Sequence, residues 1–538
     1  MASNKKVILT MLLYFIVTIS ILIFIPLSDN IGAYSFPSSV LALSIITHGK
    51  ISLPFQSSVS SYWTGTLSIE RDYPAPSLIL ASFYLITNIP PDLMPLLPIS
   101  GFIIFIFYYI MLTILLGIRG AQSLRGRRPY EVIVLLLVVM YDLFARNASY
   151  YVGRATLGVA LFIVIVYLFL KTATNDGKGK WTIAALIILI ATSFTYYTSI
   201  LAACIILLLF LFTSMIRLST FGQRVKRAFF SLAITSLFLT IVQPIVNTIL
   251  LSPSKFINNL INWILAQLKI EQNEAYYLTV GNISIDLFTR ASAIWLDYFL
   301  KLIFIIVFVC YFLNELIKKK RLNMREPANA LTIITVGASL AELFYTFQAP
   351  TVSLRFITML SILYTPLAIT RISKAGVARI VSLIISSLLI VFYIGTFNGI
   401  LVYGRINYTR HLYGLGEFIS GIVASNNVVI GGDSYYTGYL FFKTALSRDY
   451  TRVLFTTLGI HTFDLFGFHD INSIINCIKR LVSNNIRYLV LVNSNKPIYG
   501  DPWGYALTPS QENIDFLINN SNIIYNDNHV YLLNFIFT

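Results

Sequence analysis

Asp29 follows the first long apolar run, 7–27, and opens a half-polar loop that lasts until the chain becomes continuously apolar again near Met94. The same loop closes on Glu70-Arg71-Asp72-Tyr73-Pro74. A carboxylate at the edge of a low-dielectric layer holds its proton more tightly than in water, which suits a general base that must take the proton of an attacking hydroxyl. Asp29, Glu70 and Asp72 are therefore candidate catalytic acids or bases, with Arg71 and Tyr73 beside them. The plainer readings are a solvated residue ending a span for Asp29, and a surface charge cluster for 70–72. Cations recur further on. Arg146 and Arg154 lie in YDLFARNASYYVGRATLG (141–158), and Arg355 lies in TVSLRF (351–356). A planar guanidinium matches phosphate oxygens, and at membrane depth it is costly unless paired, so these three are candidates to hold a lipid-linked phosphate. The alternative is that each simply snorkels to lipid headgroups.

These residues need a scaffold, and composition names its class. The chain has 538 residues, 57% hydrophobic, 14% aromatic and 12% charged, with a mean hydropathy of +0.75. That is more apolar surface than one soluble core buries, so the expectation is a polytopic α-helical membrane protein. Apolar runs of about 20 residues match the ~30 Å hydrocarbon layer at 1.5 Å rise per residue. Spans are expected near 7–27, 95–117, 130–145, 155–170, 181–196, 198–216, 228–250, 293–314, 328–347, 354–370 and 377–398, about 11 in all. The net charge of +16 does not point to nucleic acid, because Lys and Arg concentrate between apolar runs. With the amino terminus cytoplasmic, the inner segments hold more than twice as many cations as the outer ones, which follows the positive-inside rule. The loop 28–94 then faces outward, and so does everything after Tyr403.

This topology requires that 75–89 not cross. The stretch is short and bracketed by Pro74/Pro76 and Pro90-Pro91, which predicts a helix lying on or dipping into the outer face, paired with another at about 38–48. A crossing there is the alternative. The run 181–216 is too long for one helix and is split near Tyr197. The first segment has Lys5 and Lys6 ahead of it but no small-x-small cleavage pattern before Asp29, so it is read as a retained anchor. Cys204, Cys310 and Cys477 suggest neither a disulfide framework nor a metal site.

After Tyr403 the pattern shortens. A strand is expected at 427–431, a helix at 435–446, a helix at 471–483, a buried strand at 487–493, a helix at 510–519, and a hairpin over 523–535 turning at Asn526-Asp527-Asn528. The expected domains are thus 1–403, membrane-embedded, and 404–538, a small extracytoplasmic α/β domain. GGDSYYTG (431–438) lacks the glycine spacing of a phosphate-binding loop. Sequons begin at Asn147, Asn282, Asn407 and Asn519, all on the outer side of this topology. Glu342, within a span, keeps an ion or lipid transporter in view, although internal repeats are lacking.

The order of these features resembles the GT-C superfamily of polyprenyl-phosphate-dependent membrane glycosyltransferases. The resemblance is carried by Asp29 after span one, HGKI (48–51), RDYPAPSLILASFYLITNIP (71–90), TSFTYYTSILAA (192–203) and SLRFITMLSILYTPLAI (353–369), and it covers most of residues 1–400. It implies inverting transfer of a sugar from a polyprenyl-phosphate-linked donor to a glycan, lipid or protein acceptor at the outer face of the cell membrane. Asp29 matches the family's first-loop acid and would act as base. Tyr73-Pro74 falls in the segment before the outer helix, and Arg355 matches a late-span Arg that holds the donor phosphate. Asn30 stands where many members have a second acid, and Arg154 stands where metal-using members place carboxylates, departures that speak against a divalent metal. A non-catalytic, glycolipid-binding relative is the alternative.

Overall fold

The computed structural model describes residues 35–50, 73–89, 154–174, 179–242, 322–348, 409–422, 428–443, 453–457, 465–466, 471–492, 498–499, 506–507 and 510–535, with Met94 and Ile103, and leaving out 217, 221, 433–435, 438, 442 and 485. The expected spans 7–27, 130–145, 293–314, 354–370 and 377–398, and 95–117 apart from Ile103, lie outside the described residues. The chain divides into two compact units, one of 68–83 and 97–396, the other of 1–67, 84–96 and 397–538.

Two short helices lie within the stretch 28–94. Helix α1 (Ser35–His48) ends at Gly49, whose φ of +67° is the left-handed conformation that glycine adopts freely, and whose N–H donates to the Ile45 carbonyl at 2.9 Å. Helix α2 (Ala75–Thr87) begins between two prolines and stops at Asn88, φ +52°, whose N–H donates to the Tyr84 carbonyl at 2.7 Å. At 13 residues it is about 20 Å long, well short of the ~30 Å layer.

The unit of 68–83 and 97–396 is helical and holds α3 (Arg154–Thr174), α4 (Gly179–Ser193) and α5 (Tyr197–Met215). Strand β1 (Ser219–Thr220), α6 (Gln223–Val242), β2 (Leu322–Asn323) and α7 (Pro327–Gln348) follow. Three stretches, Leu157–Thr174, Tyr197–Met215 and Gln223–Val242, are long and apolar enough to cross a membrane. The long apolar run does break before Tyr197. Thr192, Ser193 and Thr195 turn their hydroxyls back onto the carbonyls of Ile188, Ile190 and Ala191 at 2.6, 2.6 and 2.8 Å, and Tyr196 N–H closes on the Thr192 carbonyl. Helix α4 is consequently 15 residues, about 22 Å, and ends three residues before the expected span does.

Close backbone approach holds these helices together. A Cβ on Gly337 of α7 would lie 2.9 Å from Ile206 Cα of α5, and a Cβ on Gly158 of α3 would overlap Tyr196, so both crossings depend on glycine. At the far ends, Phe229 of α6 stacks on Phe210 of α5 at 4.6 Å and meets Phe169 of α3 edge-on at 6.3 Å. Strand β1 pairs in parallel with β2, Ser219 opposite Leu322, tying the α5–α6 turn to the lead-in of α7. One end of the unit therefore gathers Lys171, Lys180, Arg224, Lys226, Arg227 and Arg325, while Arg154 stands at the other.

In the other unit, α8 (Thr409–Ile422) precedes an α/β assembly of β3 (Val428–Gly432), β4 (Val453–Thr457), α9 (Ile471–Ser483), β5 (Ile486–Val492), β6 (Ile498–Tyr499), β7 (Ala506–Leu507), α10 (Gln511–Asn519), β8 (Asn522–Asn526) and β9 (Val530–Asn534). The main sheet runs β4-β3-β5-β9-β8, its first three strands parallel and the last two antiparallel to their neighbours. Ile474, Cys477, Ile478 and Leu481 of α9 bury their stripe against Leu489, Leu491 and Leu533, together with Ile514 and Leu517 of α10. Ser510 caps α10 by accepting from Asn513 N–H at 3.2 Å. The hairpin turns where expected: Asn526 Oδ1 accepts from Asn528 N–H and Asp527 Oδ1 from Val530 N–H, both at 2.7 Å, and Asn528 takes φ +70°. Of the expected helix 435–446, residues 436, 437, 439–441 and 443 are described, and all are helical.

Candidate functional site

Tyr73 and Arg154 are the candidate residues that the structure describes, and it brings them together from positions 81 residues apart. The Arg154 guanidinium carbon lies 6.0 Å from the centre of the Tyr73 ring. Tyr73 is fully buried, and its ring lies 6.0 Å from that of Tyr197, which in turn lies 5.3 Å from Tyr196. Three segments build this corner. The lead-in to α2 supplies Tyr73, and the Ala75 N–H donates to the Phe194 carbonyl in the α4–α5 turn at 3.2 Å. The turn supplies Tyr196 and Tyr197. The first turn of α3 supplies Arg154, and Ser199 Oγ donates to the Gly158 carbonyl at 2.9 Å, fixing α3 against α5.

Each contact has a local cause. Pro74 and Pro76 straddle the start of α2, where missing N–H groups cost nothing, and Pro74 offers its carbonyl to Leu78 N–H at 2.9 Å. Tyr196, at φ −161° and ψ 118°, is the extended residue before α5, and it places no side-chain cap on the helix start. Gly158 leaves the space that the Tyr196 ring fills. Ser77, in the first turn of α2, is fully buried, and its Oγ has no hydrogen-bond partner among the described residues.

The resulting corner sets a guanidinium against an aromatic wall at the shared end of three helices, next to the start of a helix. Positive charge and helix amino termini both favour an anion. Tyr73 and Tyr196 are fully enclosed and form the wall, whereas Arg154 and Tyr197 are half-buried. The other candidates, Asp29, Glu70, Arg71, Asp72, Arg146 and Arg355, lie outside the described residues. Among the described residues no group of His, Cys, Asp or Glu is arranged to hold a metal ion. Sequence reasoning gave no role to Tyr196, Tyr197, Gly158 or Ser199. The double tyrosine in TSFTYYTS was the available signal, because an aromatic pair at a helix break inside an apolar run is placed to face a neighbouring chain segment rather than lipid.

No family model matches the chain, and no curated protein matches it. Among solved structures it is similar to ArnT from Cupriavidus metallidurans in the apo state, at 10% identity over 99% of this chain and 98% of that one, TM-score 0.45. It is similar to the same protein bound to undecaprenyl phosphate, at 11% identity over 97% of each chain, TM-score 0.44. It is also similar to the Archaeoglobus fulgidus oligosaccharyltransferase in complex with Zn and sulfate, at 10% identity over 85% of this chain and 63% of that one, TM-score 0.43. These structural neighbours are GT-C glycosyltransferases, and at such identities and TM-scores no residue role passes from them to this chain.

Proposed function

We propose that the protein is a membrane glycosyltransferase that moves a sugar from a polyprenyl-phosphate-linked donor to an acceptor hydroxyl at the outer membrane face. The observation that supports this reading is the corner at Arg154: a guanidinium backed by Tyr73, Tyr196 and Tyr197 at the end of the helical unit opposite its cationic end, with the acidic segment 70–72 immediately before Tyr73 in the sequence. In the proposed reaction Asp29 takes the proton of the acceptor hydroxyl, whose oxygen attacks the anomeric carbon from the face opposite the phosphate. The carbon–oxygen bond to the carrier breaks with inversion, and polyprenyl phosphate leaves. Arg154 and Arg355 neutralise the leaving phosphate, with Arg146 and Arg71 at the rim; Glu70 and Asp72 orient the acceptor. A fixed cation aimed at developing negative charge is the largest electrostatic contribution available to such a step. A metal ion is not required by this scheme, and the α/β domain stands outside the cell with the acceptor.

The test is transfer from a defined polyprenyl-phosphate sugar by the full-length protein in liposomes. Asp29→Asn inserts normally and loses about 10²–10⁴-fold in turnover. Arg154→Gln weakens donor use by about 10–100-fold, the scale of a lost hydrogen bond to a charged group. Full transfer by Asp29→Asn removes the proposed base, and tight donor binding without turnover in the wild type identifies a glycolipid-binding protein instead.

A further inference from the structure

The cationic end of the helical unit contains a second arrangement that the transferase reading does not use. Lys171, in the last turn of α3, and Lys180, at the start of α4, both direct their ammonium groups at the ring of Trp181, at 5.8 and 5.2 Å from its centre. Lys171 lies 5.8 Å from the Tyr167 ring as well, and Tyr167 meets Trp181 edge-on at 6.3 Å. Two like charges thus share one indole.

The apolar surface below says what kind of anion fits. Lys180, Ile183, Ile187 and Ile190 follow a three-four spacing down one face of α4, and Phe194 lies just past its end. Lys180 is exposed, and Ile183 and Ile187 are 62% and 58% exposed, while Ala185 and Leu189 on the opposite face are fully buried. This is a lipid-facing stripe headed by a cation. Trp and Tyr prefer the headgroup level, and Lys carries its charge beyond the apolar layer on a flexible stem. Helix α4 is also only about 22 Å long, so its cationic head is drawn to the level where phosphates sit.

We infer that Lys171, Lys180 and Trp181 form a binding site for the phosphate of an anionic phospholipid, whose acyl chains run along the Ile183–Ile187 stripe. The site requires α3 and α4 to meet lipid and does not depend on sugar transfer. The full-length protein is placed in nanodiscs containing brominated phosphatidylglycerol or brominated phosphatidylcholine, and quenching of the emission lost in Trp181→Phe is measured. The wild type shows a preference for phosphatidylglycerol, with each lysine contributing about 5-fold. K180Q reduces it by about that factor, K171Q/K180Q abolishes it, and K171R/K180R retains it. Inorganic phosphate at matched ionic strength leaves the quenching unchanged. Equal quenching by the two lipids in the wild type, an undiminished preference in K180Q, or displacement by inorganic phosphate each overturns the assignment. Sugar transfer continues in K180Q whichever way the lipid result falls.

Discussion

Gly158 shows how much one missing side chain decides at the candidate site. A Cβ there would enter the space of Tyr196, a residue held by the turn that also positions Tyr197 beside Tyr73. Gly158→Ala is expected to destabilise the protein by about 1–3 kcal/mol, the usual range for overpacking a fitted contact. It also reduces transfer, because the turn carrying the tyrosine wall must shift. Gly179 is the control. Nothing lies within 4 Å of a Cβ at that position, so Gly179→Ala stays within about 0.5 kcal/mol of the wild type. Thermal unfolding in detergent, followed by tryptophan emission, distinguishes the two. Similar melting temperatures for both variants would show that the α3–α5 crossing does not depend on glycine.

At the scale of elements, the α5–α7 crossing rests on the approach of Gly337 to the backbone of Ile206. Gly337→Leu must separate two helices along their length, and it is expected to lower the melting temperature more than Gly158→Ala does, because the added side chain is larger and the obstacle includes the Ile206 backbone as well as its side chain. In the α/β unit, α8 buries Leu412, Leu415 and Ile419 and sets Phe418 against Tyr525 of β8 at a ring separation of 5.0 Å. Burial, and then the charge of Asp527, push the Tyr525 phenol above its ordinary value. The folded state therefore binds this proton more tightly than the unfolded chain. Its contribution is complete below about pH 10, the phenol's unfolded value, and is lost as pH rises through the folded one. Tyr525→Phe should leave stability near pH 7 unchanged and flatten the alkaline loss. Hydrogen exchange of β8 and β9 between pH 8 and 11 measures this, and an identical alkaline loss in the variant would exclude Tyr525 as its source.

For the whole molecule the question is sidedness. The helices place Lys171, Lys180, Arg224, Lys226, Arg227 and Arg325 at one end and Arg154 at the other, a polarity that follows from packing and agrees with the charge asymmetry of the sequence. A cytoplasmic cationic end sets Arg154 at the outer face. In a cysteine-free background, Cys at position 224 should react with a membrane-impermeant maleimide only after cells are opened. Cys at position 519, on the exposed end of α10, should react in intact cells. Reversed labelling would put the tyrosine corner and its proposed chemistry on the cytoplasmic side.

The sequence by itself determined the features that depend on neighbours a few residues apart. The break near Tyr197 was legible from the length of the apolar run, the end of α2 to within two residues from Pro90-Pro91, and the hairpin from Asn526-Asp527-Asn528, while the Thr-Ser hydroxyls and the left-handed Asn88 that make the first two stops came only with the structure. The α9 stripe of Ile474, Cys477, Ile478 and Leu481 was likewise legible as a helical period. Strand β4 went unread, because VLFTT is short and shows no alternation, and it gains its identity only by pairing with β3. The meeting of Tyr73, Arg154 and Tyr197 belongs to the tertiary structure alone. Those residues are remote along the chain, and what joins them is the fit of a ring into the space left by a glycine and one backbone hydrogen bond from Ala75 to Phe194. Complementarity of that kind exists between surfaces, so no local pattern in either segment records it.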